Sequence, residues 1–114
     1  STRAGTVAML VNAGHFLEAL GWLSFVHGLP IIGSSANLTH RGVKFRVEDI
    51  EPEVKAIADV VVDYGLRKYH LYRASSTLLD IRTLKVVRYG SCFELIADVL
   101  RRHFGIDLPP ERLA

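Results

Sequence analysis

The chain has 114 residues, of which 49% are hydrophobic and 23% charged, with a formal net charge of +2. That balance suits one folded domain and excludes a disordered chain, which needs low hydrophobicity and high net charge. The single cysteine, Cys92, excludes an internal disulfide and fits a reducing compartment such as the cytoplasm.

Residues 5–11 (GTVAMLV) are apolar and rich in β-branched side chains, which predicts a buried strand. Asn12 can cap the helix expected over residues 13–27. Phe16, Leu17, Leu20, Trp22, Leu23 and Phe25 wrap most of the way round that helix, so it should be largely buried. Gly28 and Pro30 end it. Residues 30–33 read as a second short strand and residues 34–46 as a polar, basic loop. Residues 47–59 have a helical pattern, with Pro52 tolerable only near a first turn. Residues 60–63, 69–73, 77–81 and 85–88 read as strands, the last two joined as a hairpin through residues 82–84. Ser91 with Glu94 forms a capping box for a last helix through Phe104. Its apolar face would be Phe93, Ile96, Ala97, Leu100 and Phe104, and residues 109–114 form a tail. The order predicts a mixed, twisted α/β sheet with flanking helices.

No stretch is long enough to span a bilayer, the most apolar being residues 16–26, and no signal peptide is visible. Cys92 lies among Phe93, Leu95 and Ile96, as a buried structural thiol would. None of the five histidines shares metal-ligand spacing with another His, Cys or acid. The charges are segregated. Glu51, Glu53 and Asp59 outnumber Lys55 in one stretch. Arg67, Lys68, Arg73, Arg82, Lys85 and Arg88 outnumber Asp80 in the next. Such asymmetry can build a positive face, or simply a solvated sheet edge.

Three groups of residues could carry chemistry. Ser34, Ser35 and Asn37 follow an expected strand, where open α/β sheets bind ligands and where turns also favour Ser and Asn. Ser75, Ser76 and Thr77 enter an expected strand, and their hydroxyls need partners from a ligand or from neighbouring backbone. Arg88, with Tyr89 and Gly90, ends a strand before a helix and could pair with phosphate or carboxylate, or lie on the surface.

Together these groups resemble the YrdC/Sua5/YciO family, the threonylcarbamoyl-AMP synthase-like domain. In that family a Ser-Ala-Asn motif follows a Pro-starting strand, as Pro30 through Ser35-Ala36-Asn37-Leu38-Thr39 does here. A Val-Asp strand with a following Gly is similar to Val62-Asp63-Tyr64-Gly65. A Ser-Thr-Val-Val-Asp segment resembles Ser76-Thr77-Leu78-Leu79-Asp80, and an Arg-x-Gly before a helix resembles Arg88-Tyr89-Gly90. The resemblance implies a YrdC-like fold whose enzymes make threonylcarbamoyl-adenylate from threonine, bicarbonate and ATP, releasing pyrophosphate, for tRNA modification. It implies threonine contacts at Ser35 and Ser76, nucleotide contacts at Asn37 and Arg88, and secondary roles for Ser34 and Thr77. Mg²⁺ would accompany the nucleotide.

The family's basic N-terminal motifs have no counterpart here. Leu10-Val11-Asn12 stands where an Arg-x-Pro is usual, and His40 stands at a usual glycine. With Ser1 opening the chain, the expectation is a partial domain over residues 1–114, the C-terminal half of a longer protein. A half-domain would expose apolar surface and self-associate. The alternative reading is a non-catalytic nucleotide-binding or RNA-binding module, gripping double-stranded RNA or tRNA through the basic stretch with Tyr69, Tyr72 and Tyr89 interleaved. A structural or regulatory domain is the third.

Overall fold

The computed structural model describes residues 5–11 and 14–111. The chain divides after Ser34 into two compact units. Among the described residues three α-helices and a two-stranded antiparallel sheet are formed. Helices and strands are thus both present, as expected, in a smaller sheet than the sequence suggests.

In the first unit, helix α1 spans His15–His27. Gly28 closes it in the left-handed conformation at φ 63. Its amide donates to Phe25 O at 3.3 Å and that of Leu29 to Ser24 O at 3.0 Å, a paired closure that satisfies two end carbonyls. The helix starts after Gly14; the expected Asn12 cap lies outside the described residues. The expected burial of α1 is not realised. None of its residues is buried, with Trp22 at 65% and Phe25 at 78% exposure. An all-round apolar pattern says what a helix could bury, but burial needs a covering surface. Residues 5–11 and 30–33 form no strand, because neither finds a ladder partner among the described residues.

In the second unit, residues 35–46 form the expected loop. The helix expected over residues 47–59 is instead a 3-10 turn, Val47–Asp49, and a short helix α2, Pro52–Ala56. Proline forces the residue before it out of the helical region, and Glu51 sits at φ -55, ψ 139. Pro52 then supplies the first turn, where its missing N–H costs nothing. Residues 60–63 form no strand; Asp63 Oδ1 instead accepts from the Gly65 amide at 2.7 Å, making a turn. The strand expected over residues 69–73 is a 3-10 turn, His70–Tyr72. Its amides bond three residues back, Tyr72 to Tyr69 O at 3.2 Å and Arg73 to His70 O at 2.9 Å. That spacing brings the Tyr69 and Tyr72 rings edge to face at 6.4 Å, whereas in a strand residues three apart point to opposite faces.

The hairpin forms where expected. Strand β1, Leu78–Asp80, pairs antiparallel with β2, Lys85–Arg88. Leu79 faces Val86 and Leu78 faces Arg88, so Val87 is an extra residue in β2, a bulge that turns the strand end. Helix α3 spans Phe93–Phe104 and closes at Gly105, φ 65. Its expected face is half-buried at Phe93, Ile96, Ala97 and Leu100, while Phe104 is exposed. The capping box is not formed: Cys92, at φ 62, is the residue before the helix, and no side chain caps it. Cys92 is half-buried rather than enclosed.

Candidate functional site

The segment 74–77 and the segment 88–91 cross closely at the ends of the hairpin. A parallel bridge joins Ser76 to Ser91, and the Ser91 amide donates to Ser75 O at 2.8 Å. Ser91 is the only buried residue among those described, at 9% exposure. Its hydroxyl donates to Ala74 O at 3.0 Å. That hydroxyl therefore fastens the crossing and is not available to cap α3.

Gly90 permits this crossing. A Cβ there would meet Ser75 O and would lie 2.7 Å from Ser76 C and 2.8 Å from Ser76 O. Both neighbours are backbone, so only the absence of a side chain allows the approach. Thr77 completes the fastening: its hydroxyl donates to Ser91 O at 3.1 Å and accepts from the Gly90 amide at 3.2 Å. The hydroxyls that needed partners in the sequence find them largely in backbone, at Thr77 and Ser91.

Arg88 lies across the same crossing. Its Nε donates to Ser76 O at 2.9 Å, which fixes the plane of the guanidinium while the side chain stays exposed. No carboxylate among the described residues pairs with it. Fixing one edge of the fork leaves the other oriented for a bidentate anion. The fold thus unites Ser76, Thr77 and Arg88.

Ser35 and Asn37 are not joined to them by any hydrogen bond. Asn37 Nδ2 donates to Leu38 O at 2.9 Å, and Ser35 is exposed. Ser34 is exposed at the end of the first unit. The 35–46 loop is held by Lys44, whose ammonium lies 3.0 Å from Glu51 Oε1. That contact holds the Glu51 carboxyl below its ordinary value of 4.5. His40, within this loop, adopts φ 65.

No protein-family model, curated protein or solved structure matches the chain. The site must therefore be read from its own geometry. Around it, the Tyr72 hydroxyl donates to Glu94 Oε1, which pushes the phenol up to about 12. Across the hairpin turn, the Arg82 amide bonds to Asp80 Oδ1 at 2.9 Å. This bond, followed by the Arg82 guanidinium, holds the Asp80 carboxyl below its ordinary value of 3.8.

Much of the basic stretch is engaged locally. Arg82 pairs with Asp80, Arg67 lies 5.8 Å over the Phe45 ring, and Lys68 lies 5.3 Å over Tyr69. Sequence reasoning missed Ser91 as the buried fastener, because Ser before a helix with Glu three residues on is also the signature of a cap. It also missed the Tyr72–Glu94 link, 22 residues apart, which no local spacing signals. Among the described residues no three His, Cys, Asp or Glu side chains come together, and no helix is long and apolar enough to cross a membrane.

Proposed function

We propose that the chain is the C-terminal half of a YrdC-like domain, and that its 76–91 crossing binds ATP and threonine in a threonylcarbamoyl-adenylate synthase. The observation that carries this is Arg88, anchored through Nε to Ser76 O at 2.9 Å and without a carboxylate partner among the described residues. Arg88 would take the phosphates, and the Ser76 hydroxyl beside it the amino acid. Ser35 and Asn37 would add threonine and nucleotide contacts from the loop. A second feature supports the resemblance: His40 stands where the family has glycine, and its φ of 65 is the conformation glycine favours. In this reading the protein positions reactants and stabilises charge, with Mg²⁺ held by the phosphates and water. Carbonic acid chemistry enters through bicarbonate as co-substrate, and the product serves tRNA modification in the cytoplasm.

Calorimetric titration of the full-length protein with ATP·Mg²⁺ and with threonine tests the reading. Arg88→Ala should weaken ATP about 10- to 150-fold, the range of a charge-assisted hydrogen bond at about 1.5–3 kcal/mol. Threonine affinity should change far less. The reverse selectivity, or binding of neither ligand by the wild type, contradicts the assignment.

A further inference from the structure

Residues 105–109, which follow α3, do not leave the molecule as a loose tail. Gly105, at φ 65, turns the chain back, and the Ile106 amide donates to Leu100 O at 3.2 Å. Ile106 and Leu108 are half-buried. Helix α3 has 12 residues and so is roughly 18 Å long. From Gly105 to Pro109 the chain advances four residues, a reach of roughly 14 Å when extended, enough to return along most of it. The return ends at a specific contact: the Tyr89 hydroxyl donates to Pro109 O at 2.9 Å. The Tyr89 ring also packs edge to face on Phe93, with centroids 4.7 Å apart.

Tyr89 sits between the two residues on which the crossing depends. On one side is Arg88, whose Nε is bonded to Ser76 O. On the other is Gly90, which allows the backbone approach to Ser75 and Ser76. A side chain held at both its ring and its hydroxyl restricts the backbone on either side of it. The ring alone would permit sliding over Phe93; the hydrogen bond to the returning chain removes that freedom.

We infer that residues 105–109 are a strap, and that Tyr89 is a positioning residue through which the strap fixes the direction of the Arg88 guanidinium. In this role Tyr89 acts through Arg88. The ligand consequence rests on the function proposed above, whereas the strap and the Arg88 geometry do not.

Tyr89→Phe keeps the ring on Phe93 and removes only the hydroxyl bond. Amide relaxation by NMR should show Asp107 and Leu108 losing order in the variant. Solvent exchange of the Arg88 Nε–H should accelerate about 2- to 10-fold, the range of one ordinary hydrogen bond. ATP affinity should fall several-fold with threonine affinity kept. Unchanged order at residues 107 and 108 overturns the strap. Disorder there with unchanged Arg88 Nε–H exchange overturns the positioning role, as does an equal loss of both ligands. If the wild type binds neither ATP nor threonine, the proposed function fails, and the two NMR measurements still decide the strap.

Discussion

Gly90 shows how much of this molecule turns on single residues. The backbones of segments 74–77 and 88–91 meet at a place where a Cβ would lie 2.7 Å from Ser76 C. Neither neighbour can rotate away, because both belong to the main chain. Gly90→Ala should therefore force the segments apart and destabilise the fold by about 1–3 kcal/mol, the cost of overpacking. A urea unfolding midpoint lowered at unchanged slope checks this; an unchanged midpoint contradicts the crossing. Ser91 and Thr77 would lose their partners in the same event, since their hydrogen bonds close that crossing. The glycine was visible in the sequence as part of Arg88-Tyr89-Gly90. That it must be glycine follows from a neighbour about 14 positions away, which periodicity along the chain cannot name.

Elements here are joined by a few side chains rather than by broad packing. The 3-10 turn His70–Tyr72 reaches α3 through the Tyr72 hydroxyl and Glu94. Glu94 accepts the phenolic proton, and that bond is the main reason the phenol is pushed up to about 12 from 10.0. The neutral phenol is favoured in the folded state. The link therefore stabilises the fold fully below pH 10 and is lost as pH rises through 12. A spectrophotometric titration of the four tyrosines should show one ionising near 12, and Glu94→Gln should return it toward its ordinary value. The absence of any tyrosine ionising near 12 contradicts the link. The sequence read this segment as a strand, with Tyr69, Leu71 and Arg73 alternating against His70 and Tyr72. The structure has i to i+3 bonds there instead, flanked by Tyr69 and Arg73 in left-handed conformations at φ 62 and 50. Helix α3 and the hairpin, by contrast, were legible. Their signals are local: an amphipathic repeat ended by Gly105, and two short apolar runs separated by a turn.

At the scale of the whole molecule, the described residues include no buried apolar side chain. Trp22, the single tryptophan, is 65% exposed on α1. Leu95 and Val99 are exposed on α3, and Val60, Val61 and Val62 between the elements. Apolar surface left in water favours association roughly in proportion to its area. The chain should bind a hydrophobic dye and self-associate with rising concentration in light scattering. Trp22 emission should move from that of a solvated indole to the blue as it does so. A monomer at high concentration, without dye enhancement, contradicts this.

Local order was written in the sequence by itself: where α1 and α3 end, where the hairpin turns, which loop precedes α2. Glycine, proline and apolar spacing act within a few residues, so no tertiary structure is needed to read them. The candidate residues were also named there, Ser35, Asn37, Ser76, Thr77 and Arg88 among them. Only the tertiary structure separated them by role. It made Thr77 a fastener by giving its hydroxyl two backbone partners, and it left Arg88 with one edge anchored on Ser76. Strand pairing and the burial of α1 were likewise beyond local reading. Both require a second surface, and a chain's own pattern states only what it could cover.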